Sequence, residues 1–409
     1  MKTLSGAKLV ALVCSAQVLV QIGANFWPAL LPSMMDFWGL TNSEAGWITG
    51  VFYLAYMLAV PLLVTLTDRI DARLVYLFGV ACTISAHVLF GLFAEGFWSA
   101  FTLRALAGIG WAGTYMTGLK LLADLVDKRM MSRAVAGHAA SIGVSGALSF
   151  SCAALLTALF DWRTAFVIAG LFALAAWMMV ALWVPPRSPA AAPALGQKLF
   201  DFGPVLRNKS AMAYSIAYCV HTLEMNALRG WGVAFLGFVG VSTGAGHSLL
   251  SPPVVLTILG VLGTAASVMG NEAAIRMGRR NLIGVAMLGS VLIGGTIGYF
   301  GSLSYPLAVA MMILYGFIVW LDSSSLTAGA AGTADPARRG AQLAVHSSLG
   351  YAGGFVGPLI IGFILDAAGG MSRVSWSLAF LSIAGLMALA LATFWAIRPQ
   401  ELAGDRAAG

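Results

Sequence analysis

A short set of ionisable side chains falls inside apolar stretches of this chain: His87, Arg104, Lys120, His138, His221, Glu224, Arg229, Asp322 and His346. In hydrocarbon such a residue costs a few kcal/mol, about +2.5 to +3.5 at mid-depth for Arg, Lys or Asp, so few are there by accident. Glu224 and Asp322 lie near the middle of their stretches, too deep to reach an interface by extending. A carboxylate held there can load and release a proton; the alternative is a permanent pairing with Arg229 or Arg104 that only orders the surrounding helices. Arg104 and Arg229 would attract a carboxylate or a similar anionic group. Arg104 has a second reading, a bond to backbone carbonyls of a neighbouring helix. Lys120 reads as a residue that extends to the interface.

Uncharged polar residues follow helical spacing. Gln17, Gln21 and Asn25 repeat at i, i+4 and i+8, a polar stripe on an apolar helix, with Asn25 the best solute contact among them. His221 and Glu224 are three apart and share a face, which adds His221 to the candidate binding groups. Gly230 and Gly232 follow in a run near 29 residues long. This predicts a kink or an unwound segment around Asn226–Gly232. Trp320 and Tyr115 could supply aromatic walls, and His138 and His346 open two later runs, as packing residues or as a pH-sensitive gate.

The elements that carry these residues must be membrane helices. The 409 residues are 59% hydrophobic and 10% charged, with mean hydropathy +0.88. A soluble domain carries about 25% charged residues. Twelve apolar runs of spanning length are present: 9–33, 45–66, 74–94, 97–122, 134–159, 163–184, 211–239, 251–271, 281–300, 304–330, 341–365 and 375–396. Alternate loops hold most of the basic residues, such as Lys2, Lys8, Arg69, Arg73, Lys198, Arg279, Arg280, Arg338 and Arg406, whereas the opposite loops hold Arg163 and Arg373. This asymmetry predicts both termini in the cytoplasm. The net charge of +7 is thus a topology signal rather than a nucleic-acid surface. Cys14, Cys82, Cys152 and Cys219 stand singly in apolar runs, so no metal, cofactor or disulfide framework is expected. The first run continues past a secretory signal's length and is kept as a helix.

Residues 185–209 open with Pro185, Pro186, Pro189 and Pro193, and Gln197–Lys209 has the pattern of a short amphipathic piece. The chain therefore divides into a six-helix bundle (1–184), a cytoplasmic linker (185–209) and a second six-helix bundle (210–409). Arg73 and Arg280, and Trp162-Arg-Thr-Ala-Phe and Trp376-Ser-Leu-Ala-Phe, recur at offsets of 207 and 214 residues, much as an internal duplication would place them. Duplicated halves that rock about a central site are a transporter architecture.

The motifs sharpen this. Asp68-Arg69-Ile70-Asp71-Ala72-Arg73 after the second run, Arg276-Met277-Gly278-Arg279-Arg280 after the eighth, and Arg104-Ala-Leu-Ala-Gly108-Ile-Gly110 in the fourth together resemble the signature motifs of the major facilitator superfamily. Asp71, Val64 and Ile275 depart from the pattern, and the fifth run lacks the Gly-Pro pair of drug:proton antiporters. The eleventh run carries Gly350, Gly353, Gly354, Gly357 and Gly362, read as close packing between the halves. The resemblance implies an all-α fold of twelve spans, a cavity lined by spans 1, 4, 7 and 10, and a cytoplasmic gate formed by Asp68, Arg69, Arg73 and Asp124. The gate residues read otherwise as solvated topology charges.

The expectation is a monomeric secondary transporter in a bacterial inner membrane. It would move a small polar or anionic organic solute by alternating access, coupled to protons. Asn25, Arg104, His221, Arg229 and Trp320 would bind solute, and Glu224 and Asp322 would carry protons. An exporter of amphipathic compounds is the alternative within transport. No nucleophile–base pairing or nucleotide loop supports an enzyme, and no extramembrane domain supports a receptor.

Overall fold

The computed structural model describes residues 6–187, 202–245, 250–402 and 405. Residues 188–201 of the expected linker lie outside the described residues, as do Lys2, Lys198 and Arg406. The helices are α1 (Ala7–Gln21), α2 (Phe26–Trp38), α3 (Asn42–Leu66), α4 (Ala72–Phe93), α5 (Phe97–Ala112), α6 (Tyr115–Leu125), α7 (Lys128–Leu159), α8 (Trp162–Trp183), α9 (Gly203–Arg207), α10 (Lys209–Ser242), α11 (Pro252–Met277), α12 (Arg279–Phe300), α13 (Tyr305–Leu321), α14 (Ser323–Gly332), α15 (Arg339–Ala367) and α16 (Arg373–Ile397). Apart from short α9, they make the twelve expected spans, because α1–α2, α5–α6 and α13–α14 are spans built from two helices each. Ten stretches among the described residues are long and apolar enough to cross a membrane. The other two expected spans are α5–α6, divided by its break, and α10, which carries Glu224 and Arg229 inside it.

Outward faces carry Leu62, Phe93, Trp98, Leu159, Val268 and Leu389, all largely exposed. An apolar exterior is what lipid requires. Helix ends are closed by side chains: Asp161 accepts from the Thr164 N–H at 2.8 Å, Asn208 from Ala211 at 3.1 Å, and Ser372 from Ser375 at 3.1 Å. The bonds from Thr164 hold the Asp161 carboxyl below the usual carboxylate range.

The chain divides into two compact units, Met1–Leu30 with Val51–Gln197, and Leu31–Gly50 with Lys198–Gly409. The first is centred on Val13, Tyr76, Val80, Leu122 and Val180, and part of the core of the second is Tyr214, Ile283, Met287, Leu326 and Phe394. In the second unit Asp366 of α15 receives the N–H groups of Asn42 (3.0 Å) and Ser43 (2.7 Å), which closes the start of α3.

One expectation is corrected. The seventh span, α10, is one unbroken helix of 34 residues with no unwound segment around Asn226–Gly232. Gly230 faces Thr49 and Pro358, and Gly232 faces Leu256. The glycines admit neighbours while the helical ladder is kept. Gly350, Gly353 and Gly357 of α15 pack on Tyr218, Cys219 and Leu223 of α10, whereas Gly362 meets Asn42 and Ser43 of α3. A Cβ on Gly353 would stand 2.0 Å from the Cys219 carbonyl oxygen.

Candidate functional site

The three broken spans are the first, fourth and tenth, and two of the breaks carry candidate residues. Residues 22–25 separate α1 from α2 and include Asn25. Gly23 is needed there, since a Cβ would come within 2.5 Å of His87 Nε2. Gly113 and Thr114 separate α5 from α6, where Gly79 and Gly113 bring two backbones together. Asp322 is itself the residue between α13 and α14. Helices interrupted inside a membrane free backbone groups for a site, and such breaks are tolerated where they are buried in protein or line a cavity.

In the first unit the centre is Arg104, 4% exposed. Its Nη1 donates to the Ala24 carbonyl at 3.2 Å, and the guanidinium lies 4.4 Å from the Phe52 ring centroid. Both readings of Arg104 begin from this geometry: one donor meets backbone, and Nε is buried without a partner. Among the described residues of this unit no carboxylate is buried. Beside it a small cavity is lined by Gln21, Ala24, Phe52, Thr83, His87, Trp111 and Thr114. Gln21 Nε2 and Trp111 Nε1 are also buried without partners. Each such group costs about 1–3 kcal/mol, so two partnerless donors at one space, with a third on the Arg104 that touches its lining residues Ala24 and Phe52, are a feature the fold alone does not favour. Asn25 differs from expectation: its N–H donates to Ser149 Oγ (2.9 Å) and its Nδ2 to the Gly146 carbonyl (2.7 Å), so its donors hold α7.

In the second unit His221 Nδ1 stands 2.9 Å from Asp322 Oδ1, with both side chains buried. The distance is that of an ion pair, without hydrogen-bond alignment. Glu224 Oε1 accepts from the Tyr315 hydroxyl at 2.7 Å, and its Oε2 has no partner. Asn226 Nδ2 donates to the Thr222 carbonyl at 2.8 Å, which leaves Oδ1 without a partner, as is His221 Nε2. The half-buried Arg229 places its guanidinium 5.4 Å from the Trp320 ring centroid, and Trp320 covers Gly263. The structure thus brings together His221 with Asp322 and Arg229 with Trp320.

Among the described residues, no ion pair joins Asp68, Arg69, Arg73 and Asp124 to one another. Asp124 pairs with Lys120 at 2.6 Å, and Arg73 donates through Nη2 to the Ala181 carbonyl. Asp68 and Arg69 are exposed. Asp71, the departure from the family pattern, accepts from the Arg73 N–H at 2.9 Å and the Arg187 N–H at 3.0 Å.

Sequence reasoning missed Tyr315 and Trp111. Each has a signal in retrospect: Tyr315 is seven residues before Asp322 and Trp111 seven after Arg104. Two helical turns set a residue on nearly the same face.

The family model described as Major Facilitator Superfamily matches residues 13–358. Protein spinster of Drosophila melanogaster is 23% identical over 269 residues, which is 64% of this chain but 44% of the fly protein. The sphingosine-1-phosphate transporter SPNS2 of Mus musculus is 24% identical over 388 residues, 87% of this chain and 69% of the mouse protein. Among solved structures, a bacterial homolog of the human lysosomal transporter spinster, in an inward-facing and occupied conformation, aligns with TM-score 0.77 at 15% identity over 96% of this chain and 97% of that one. A multi-pass membrane protein of all-helical fold, matched by the family model across most of its length, the chain belongs to the Major Facilitator Superfamily.

Proposed function

We propose that this member of a transporter family is a proton-coupled secondary transporter of a small organic solute bearing an anionic group. The observation that carries the reading is Arg104: a buried guanidinium with a partnerless Nε, no buried carboxylate in its unit, and two further unpaired donors, from Gln21 and Trp111, at the adjoining cavity. A carboxylate or phosphate oxygen satisfies such donors better than a neutral group does. The mouse relative is named for a phosphate-bearing solute, which agrees with an anionic headgroup.

Proton coupling is assigned to Glu224 and Asp322. Glu224 meets Tyr315 and Ser290, and Asp322 meets His221, all without a permanent positive charge. A carboxylate held by a phenol and a histidine can change protonation state without stranding a permanent cation. His221, Arg229 and Trp320 are further solute contacts. Asp68, Arg69, Arg73 and Asp124 are proposed as a cytoplasmic gate. The halves, 1–184 and 210–409, would work as one monomer in a bacterial inner membrane, both termini inside.

Binding decides the solute class. Purified protein is screened for thermal stabilisation by organic acids, phosphate monoesters and their neutral and cationic analogues, in wild type and in Arg104→Gln. Anions should stabilise the wild type, and the variant should lose that response. Equal stabilisation by the neutral analogues would remove the anion reading. The amphipathic exporter remains the second reading, because the mouse relative's named solute has a lipid body; transport measured in each direction separates the two.

A further inference from the structure

Asp366 stands one residue before the end of α15, where its own helix disfavours it: the carbonyl end of a helix repels a negative charge. Its partners lie 324 residues away on α3. Oδ1 accepts the Asn42 N–H at 3.0 Å and Asn42 Nδ2 at 2.8 Å, and Oδ2 accepts the Ser43 N–H at 2.7 Å. Electrostatically the carboxylate thus belongs to the start of α3, where the helix dipole favours an anion. In the sequence α3 falls in the first half and α15 in the second, although both segments lie in one compact unit.

The start of α3 also has a cap of its own. Thr41 and Glu44 form a capping box: the Glu44 N–H donates to Thr41 Oγ1 at 3.2 Å, and Glu44 Oε2 accepts the Thr41 N–H at 2.9 Å. The Ala45 N–H already meets the Thr41 carbonyl at 3.1 Å. Of the N–H groups that a helix start leaves unmet, the box takes that of Glu44 and leaves those of Asn42 and Ser43. Asp366 takes both. With its own box in place, α3 keeps its first turn when the distant carboxylate departs. Residues 42, 43 and 366 lie just beyond the apolar runs 45–66 and 341–365, beside the exposed Asp36, Gly39 and Thr41, so water can then serve the two N–H groups.

Below this cap the two helices meet backbone to backbone. Gly46 faces the Pro358 carbonyl and Gly50 that of Phe355, where a Cβ would come within 2.8 and 2.7 Å. Gly362 faces the Asn42 backbone in return, and Trp47 rests on Phe355 with ring centroids 5.6 Å apart. A glycine-lined seam closes tightly but interlocks few side chains, so the directed bonds at its outer end weigh heavily in whether it stays shut.

We propose that Asp366 is a detachable cap on α3, the latch that holds the outer ends of α3 and α15 together and releases them when the solute site opens to the outside. The proposal rests on the alternating-access reading and its topology, which puts both helix ends outside.

The test uses the full chain with Cys14, Cys82, Cys152 and Cys219 replaced by serine and Thr49→Cys as reporter. Thr49 is 2% exposed and lies in the seam beside Gly230. A membrane-impermeant maleimide is added outside whole cells. The reporter protein should label slowly, since the outer side opens during each cycle. Asp366→Asn, which keeps the shape but loses the charge and one acceptor oxygen, should label roughly twofold to thirtyfold faster, the population shift that a lost cap produces. Asn42→Pro should do the same from the other partner: it removes two of the three donors, while proline suits the first position of a helix and leaves α3 intact. Asp161→Asn, which weakens a cap contained within the start of α8, should label at the reporter's own rate. A thiol that stays unlabelled in the reporter protein and all three variants would overturn the alternating-access reading and the proposal with it. Reporter labelling that neither Asp366→Asn nor Asn42→Pro accelerates, or that Asp161→Asn accelerates equally, would overturn the proposal alone.

Discussion

The partnerless polar atoms near Arg104 in the first unit and those along α10 in the second differ in kind. Around the cavity of the first, the partnerless atoms are donors: Arg104 Nε, Gln21 Nε2 and Trp111 Nε1. Along α10 in the second they include two acceptors, Glu224 Oε2 and Asn226 Oδ1, with His221 Nε2 one turn before Glu224. On the proposed reading, the difference means that similar helical frames serve different cargo. A donor-rich pocket calls for an anion, and a buried carboxylate with an unmet oxygen can take up a proton.

The largest expected effect comes from removing the second set. Glu224→Gln with Asp322→Asn should reduce proton-driven accumulation of solute to equilibration, while solute exchange without a pH gradient persists. Undiminished accumulation would place the proton site elsewhere. Next is Arg104→Gln, which should weaken anion binding roughly ten- to hundredfold, as loss of a charged hydrogen-bond donor does, with the transient proton-loading current of a pH step in proteoliposomes retained. If that current also vanished, the division of labour between the units would be wrong. Trp111→Phe keeps the ring and removes the N–H. A drop of about threefold to tenfold in anion affinity is expected by calorimetry, against none for a purely packing indole. Smallest is an effect on stability. Glu224→Gln should leave the melting temperature equal or raise it by the equivalent of about 1 kcal/mol, since a buried unmet carboxylate oxygen is relieved. A clear fall would give Glu224 a structural role.

Much of this was legible in the chain. Hydropathy located the spans, and the cost of charge in hydrocarbon singled out Arg104, Glu224 and Asp322. The breaks were not legible. Asp322 ends one helix and starts the next, and residues 22–25 open around His87, yet both depend on neighbours distant in sequence. The opposite error came from Gly230 and Gly232, whose helix-breaking tendency is overruled because Thr49, Pro358 and Leu256 fill the space they leave. Asn25 was legible as polar in an apolar helix but not as a tether to α7, because nothing in its own helix indicates Gly146 or Ser149. Trp111 carried no polar signal at all: an indole in an apolar run looks like packing until its N–H is seen without a partner.

The most direct test of the account is accumulation in proteoliposomes. Anions that stabilise the purified protein are supplied with an imposed pH gradient, and their internal concentration is followed with and without a protonophore. The account predicts accumulation above equilibrium that the protonophore abolishes, and its loss in the Glu224→Gln, Asp322→Asn protein. Accumulation indifferent to the protonophore, or bound anions that never cross, would contradict it.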